Sequence, residues 1–153
     1  MSEQSSQPTP STPWRVHFVC LGNIWRSRLA EAYAKAKTAG RSDVVISSSG
    51  IDAGTYGGSS LPVHTLGAAA QFGIEEYLKT QPTQSEQQHF DTADVIVFVN
   101  TDVYEDAKRR WQLPQQADIR VWQIADELGV EDRIIEQVQE LLEELHLSPA
   151  EGE

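Results

Sequence analysis

Asp94-Val-Ile-Val-Phe-Val99 is apolar from Val95 to Val99, with no polar residue interrupting the run. A strand that buries one face alternates polar and apolar residues. A strand apolar on both sides has to be covered on both faces, as at the centre of a parallel sheet flanked by helices. The rest of the chain supplies the partners such a strand needs. Arg15-Val-His-Phe-Val-Cys20 alternates and is rich in β-formers, Val44-Val45-Ile46 reads as a short buried strand, and Ile119-Arg-Val-Trp122 as a fourth. Helical spacing separates them. From Ser27 to about Ala39, residues Leu29, Ala30, Ala32, Tyr33, Ala34 and Ala36 line one side, and Gly40 is the stop. Pro62 to Phe72 reads as a second helix closed by Gly73, and residues 102–111 as a short third. Ile134, Ile135, Val138, Leu141, Leu142 and Leu145 mark an amphipathic terminal helix over 131–146, with Glu131 and Asp132 at its positive end. Residues 49–60 hold Gly50, Gly54, Gly57 and Gly58 and read as an irregular loop, and the polar, Gln-rich stretch 79–90 as a loop or weak helix. Alternating strands and helices imply an α/β fold with a parallel sheet. No internal repeat interrupts it.

At 153 residues the chain has the length of one domain, and a domain of that size buries roughly 70% of the surface its unfolded form exposes. Residues 1–13 are rich in Ser, Thr, Gln and Pro and read as a disordered tail, residues 14–147 as the folded domain, and 148–153 as an acidic tail. One cysteine permits no intrachain disulfide and no Cys-rich zinc site. The longest aliphatic and aromatic run is far short of the ~20 residues a membrane span needs. The first thirteen residues lack the basic and apolar stretches of a secretory signal, so a reducing, cytoplasmic setting is expected. The net charge of −11 argues against nucleic acid or an anionic membrane as a partner. It is unevenly spread. Residues 1–42 carry Arg15, Arg26, Arg28, Lys35, Lys37 and Arg41 against Glu3 and Glu31, which places any anion site near the start of the fold.

That is where the most chemically specific segment lies. Cys20-Leu21-Gly22-Asn23-Ile24-Trp25-Arg26-Ser27 joins the first strand to the first helix. In an open parallel sheet, ligands bind beyond the carboxyl ends of the strands, and Cys20 stands at such an end. A loop there can turn backbone N–H groups toward one centre and aim a helix N-terminus at it, an arrangement that favours phosphate. Arg26 can grip two oxygens with its planar fork. The same field favours the thiolate form of a cysteine, which is the nucleophilic form. Ser27 can donate a hydrogen bond to that thiolate, and Asn23 can fix the turn.

These residues resemble the low molecular weight protein tyrosine phosphatases, whose loop reads C-x-G-N-x-C-R-S-P followed by Leu/Met-Ala-Glu-Ala. Cys20, Gly22, Asn23, Arg26, Ser27, Leu29, Ala30, Glu31 and Ala32 match it. Ile46-Ser-Ser-Ser-Gly50 is similar to the family's S-x-G segment, Leu66 to Ile74 to a helix end, and Asp94 to Val99 to its third strand; the likeness runs over most of 15–146. The resemblance implies a four-stranded parallel sheet of order 2-1-3-4 with helices on both faces. It implies hydrolysis of phosphotyrosine through a phosphocysteine, with no metal or other cofactor. The ligands implied are a phosphotyrosine-containing protein and inorganic phosphate or other oxyanions. Leu21, Gly22, Asn23, Ile24, Trp25 and Ser27 then form the phosphate loop around Cys20 and Arg26. Tyr56 corresponds to an aromatic that stacks on the substrate ring, and Ile24 is the residue that tyrosine-specific members carry. Two positions depart from the pattern. Trp25 replaces a second cysteine, so an oxidised Cys20 has no intramolecular thiol to resolve it; its indole is expected under the loop or at the pocket mouth. Arg28 replaces a proline and adds positive charge beside the site.

A phenolic leaving group needs a proton. The family supplies it from an Asp-Pro pair after the fourth strand, and Asp126 aligns best with that aspartate, with Glu127 where the proline would be. Glu127 and Asp132 are the competing candidates. His17, His64, His89 and His146 show no metal-ligand spacing, and His17 reads as a packed strand residue. Trp14, Trp111 and Trp122 read as packing residues. Two other functions remain open: a phospho-ligand binding module, and an arsenate reductase that draws on an external thiol because a cysteine relay is impossible here.

Overall fold

The structure is a computed structural model that describes residues 14–23, 25–56, 63–125 and 129–147, without the side chains of Tyr56, Val63 and His64. The segments expected as tails, residues 1–13 and 148–153, lie outside the described residues. The strands are β1 (Trp14–Cys20), β2 (Val44–Gly50), β3 (Val95–Phe98) and β4 (Asp118–Val121). The helices are α1 (Arg26–Lys37), α2 (Ala53–Tyr56), α3 (Val63–Gln71), α4 (Gln87–Thr92), α5 (Thr101–Arg110) and α6 (Glu131–Glu144), with a 3₁₀ turn at Glu75–Tyr77. All pairings are parallel and the sheet order is β2-β1-β3-β4, the expected 2-1-3-4.

The uninterrupted apolar strand is explained by its two faces. Val95 and Val97 of β3 join Val16 and Phe18 of β1 in a core under α1 and α6, with Leu29, Ile134, Val138 and Leu141. Ile96 and Phe98 point the other way, into a second core with Val19, Phe90 of α4 and Val103 and Ala107 of α5. Burial of an aliphatic side chain stabilises by roughly 1.5–3 kcal/mol, so these two layers dominate the fold's stability. Trp122 lies in the first core and Trp111 packs against Phe90, as packing residues do, whereas Trp14 is exposed. None of the described helices is long and apolar enough to cross a membrane.

Local signals set most boundaries. The α1 chain stops where the Thr38 hydroxyl and amide both donate to Ala34 O, followed by Gly40 at φ +88. Gly73, at φ +70, follows α3. The Asn100 side chain accepts from the Val103 amide and caps α5, whose last turn carries Lys108, Arg109 and Arg110.

One expectation is corrected. The glycine-rich stretch is not wholly irregular: β2 runs through Ser47-Ser48-Ser49-Gly50, and Ala53–Tyr56 forms a helical turn. The polar residues stay in strand because their hydroxyls find buried partners in His17, Asn23 and Glu31. The register pairs Cys20 with Gly50, which brings β2 to the same edge as the cysteine. In the Gln-rich stretch, Gln87–Thr92 is an α-helix, while residues 83–85 run past the end of β2: Gly50 N–H donates to Thr83 O (2.8 Å) and Ser85 N–H to Gly50 O (2.9 Å).

His17 is enclosed beneath α4. Its Nδ1 lies 2.7 Å from Ser47 Oγ, its Nε2 2.7 Å from Ser49 Oγ, and its ring stacks on His89 at 5.0 Å. Burial, with the charges of His89 and Lys79, pushes His17 down to about 3. The unfolded chain therefore binds a proton at His17 that the folded chain refuses. Stability is fully present above about pH 6.5 and falls as the pH drops toward 3. Between about pH 6.5 and 5, His17 should cost the wild type about 1–2 kcal/mol in urea unfolding. His17→Gln should flatten that slope; an unchanged slope would contradict this assignment.

Candidate active site

The carboxyl ends of β1, β2 and β3 converge at one edge of the sheet, and the chain leaves β1 there in a tight loop into α1. Asn23 turns it. Its φ of 54 lies in the left-handed region, where Asn is among the best tolerated non-glycine residues. The turn aims the Asn23 amide back at the cysteine, with N to Cys20 Sγ at 3.1 Å. From the first turn of α1 the Ser27 hydroxyl comes to 2.9 Å of the same sulfur. Cys20 thus sits beneath an amide, a hydroxyl and the positive end of a helix, and it is buried, with 2% of its surface exposed.

Arg26 enters from the helix side, 3% exposed, with its Nη1 donating to Ile124 O at 2.9 Å. That bond ties the loop to the segment leading toward Asp126. Leu21 and Arg26 open onto a cleft of ≈ 500 Å³, bounded by Ile51 and, on the α5 side, by Asn100, Asp102 and Arg109.

The loop is held from behind by a polar network. Asn23 Nδ2 donates to Ser27 Oγ (2.8 Å) and Ser48 Oγ (3.0 Å), and its Oδ1 accepts from the Thr83 amide (2.8 Å). Ser48 Oγ donates in turn to Glu31 Oε1 at 2.6 Å. Lys79 Nζ reaches Ser48 O (2.8 Å) and Thr83 Oγ1 (2.9 Å). Arg28 is fully buried, and its Nη2 donates to Lys79 O at 3.1 Å. Burial pulls its guanidinium below the ordinary value, against the opposing pull of Glu31 and Cys20.

Of the residues singled out in the sequence, Cys20, Leu21, Gly22, Asn23, Arg26 and Ser27 come together at this loop. Asn23 acts more widely than a turn former, through three side-chain bonds. Trp25 is 6% exposed, with its indole in the core shared with α1 and α6. Ile24, the Tyr56 side chain, Asp126 and Glu127 lie outside the described residues. Asp132 is exposed in the first turn of α6. Among the described residues no group of three or more His, Cys, Asp or Glu converges to hold a metal ion. Ser48, Glu31, Lys79 and Thr83 were not singled out as supports, although serines inside a strand were a signal, since buried hydroxyls need partners.

Residues 15–146 match the family of low molecular weight phosphotyrosine protein phosphatases, and the chain belongs to that family. Among solved structures, it is similar to YfkJ from Bacillus subtilis (22% identity, TM-score 0.77, covering 90% of this chain and 98% of that one). It is similar to SP-PTP, a low molecular weight protein tyrosine phosphatase from Streptococcus pyogenes (22%, TM-score 0.73, 86% and 93%). It also resembles a thioredoxin-dependent arsenate reductase from Corynebacterium glutamicum (19%, TM-score 0.70, 91% and 65%). At these identities the likeness is one of fold. No curated protein matches the sequence at a significant level.

Gly50 is the tightest point of the site. A Cβ placed there would lie 2.5 Å from Asn23 N, 2.7 Å from Gly22 C and 2.7 Å from Leu21 O, all backbone atoms of the loop. Gly50→Ala should push the loop off Cys20, lowering turnover by at least tenfold and stability by about 1–3 kcal/mol. Activity and unfolding midpoint together test this; a fully active variant would show that the loop does not need the contact.

Proposed function

We propose that the protein is a cysteine-dependent tyrosine phosphatase. The observation that carries this reading is the convergence on Cys20 Sγ of the Asn23 amide, the Ser27 hydroxyl and the N-terminus of α1, with buried Arg26 beside them. Donors preorganised around an anion stabilise charge as it develops, without reorganisation at the moment of reaction. A structural cysteine has no use for them.

In the proposed reaction the Cys20 sulfur attacks phosphorus in line and the phosphorus–oxygen bond to the tyrosyl group breaks. Arg26 and the loop amides hold the equatorial oxygens, as phosphoryl transfer requires. Asp126 gives its proton to the departing phenolic oxygen. Water then attacks the phosphocysteine, Asp126 takes back a proton, and phosphate leaves with the thiolate restored. Ser27 donates to the sulfur as it departs. The substrate is a phosphotyrosine-containing protein. The lone cysteine disfavours an arsenate reductase that relays a disulfide between its own thiols.

Hydrolysis of para-nitrophenyl phosphate across a pH series tests the assignment. Cys20→Ser should abolish turnover, and Asp126→Ala should lower it about 10²–10⁴-fold while leaving phosphate binding intact. Full activity in Asp126→Ala would move the acid to Glu127 or Asp132. Binding of vanadate without wild-type turnover would make the protein a phospho-ligand binding module.

A further inference from the structure

The charges behind the loop do not balance. Glu31, 3% exposed, is engaged by Ser48 Oγ at 2.6 Å and Lys35 Nζ at 2.9 Å. Lys79 Nζ stands farther off, at 3.8 Å, and directs its short bonds to two neutral oxygens, Ser48 O and Thr83 Oγ1. Arg28 spends one nitrogen on Lys79 O, and its buried Nε and Nη1 have no hydrogen-bond partner among the described residues. Among the described residues three cations thus share one carboxylate, with Lys35 at 2.9 Å, Lys79 at 3.8 Å and Arg28 drawn to it without a close contact. A buried guanidinium with unfilled donors is costly unless an anion answers it. The loop lies on the other side of Asn23 and Ser48, close enough for Cys20 to act on both Arg28 and Lys79.

Lys79 is joined to that loop through Thr83 and Ser48. It bonds Thr83, whose amide holds Asn23 Oδ1, and the carbonyl of Ser48, whose hydroxyl holds Asn23 Nδ2. We propose that Lys79, backed by Arg28, is a positioning residue that braces Asn23 from behind and supplies a half-buried positive charge that strengthens oxyanion binding in the loop. The proposal rests on the reading of that loop as an oxyanion site.

The two parts of this role separate with pH. Burial lowers Lys79 to about 8, with Glu31 and Cys20 raising it and Arg28 and Lys35 lowering it further. A neutral amine still donates hydrogen bonds, so the brace survives deprotonation while the charge does not. Oxyanion affinity should therefore fall as the pH rises through about 8. The charged and titratable groups facing Lys79 are Arg28, Glu31 and Lys35 from α1 and Cys20 from the loop. His17 and His89 face it from across the sheet, and both are pushed below their ordinary value and stay neutral over this range.

The test is calorimetric titration of the full chain with sulfate, a constant dianion, from about pH 6.5 to about pH 9.5 at fixed ionic strength. Cys20→Ser is the parent, so that no thiol titrates. Its affinity should fall on the order of tenfold over this range. Adding Lys79→Arg should keep affinity high and flat, because the charge is retained. Adding Lys79→Met should make it low and flat. Equal affinities and equal profiles in all three would overturn the proposal, as would a decline that persists in Lys79→Arg. Absence of sulfate binding by the parent at every pH would overturn the oxyanion reading itself and this inference with it. Thermal unfolding of each variant separates a lost fold from a lost charge.

Discussion

The loop closes around Cys20 only because the end of β2 has no side chain where the two backbones meet. Gly50 pairs with Cys20 in the sheet, donates to Thr83 O and lies against the backbone of Leu21, Gly22 and Asn23. From that contact the rest of the site follows in order. The loop turns at Asn23 in a left-handed conformation, the Asn23 amide faces the sulfur, and the Asn23 side chain reaches Ser48 and the Thr83 amide. Ile51 and Asp52 then bond back to the carbonyls of Cys20 and Leu21, so the strand that receives the loop also fixes its far side. A parallel sheet makes this possible, because all its carboxyl ends lie on one edge.

Electrostatically the loop has two faces. The front offers donors to an anion: the Asn23 amide, Ser27, Arg26 and the end of α1. The back holds buried Arg28 and Glu31 and half-buried Lys79, with Glu31 and Lys79 joined through Ser48. In a low-dielectric setting both act at longer reach than they would in water. The net charge of −11 hides this local excess of cations, which is why overall charge alone says little about the ligand.

Much of this was legible in the chain. The run Val95–Val99 fixes a central strand because apolar residues on both faces demand cover on both faces, and the four strands and their parallel order follow from that and from the family likeness. Cys20, Asn23, Arg26 and Ser27 were legible because their spacing is confined to one turn between a strand and a helix. Supports from distant parts of the chain were not. Lys79 and Thr83 lie far along the chain from the loop, Thr83 bonding it directly and Lys79 through Ser48 and Thr83, and no periodicity encodes such a meeting. The strand character of Ser47–Ser49 was hidden for a related reason. Polar residues are poor evidence for a buried strand until their partners, His17, Asn23 and Glu31, are known. Trp25 was half legible: a large apolar residue in place of a cysteine had to pack somewhere, and it joins the core with α1 and α6.

Everything in this account turns on the sulfur of Cys20 receiving the phosphoryl group. The most direct measurement is mass analysis of protein quenched at alkaline pH during steady turnover of para-nitrophenyl phosphate. A phosphoryl group on the peptide that contains Cys20, lost within one turnover when substrate is removed and absent from Cys20→Ser, is the expected result. Turnover without a phosphorylated Cys20, or a label that persists in Cys20→Ser, would contradict it.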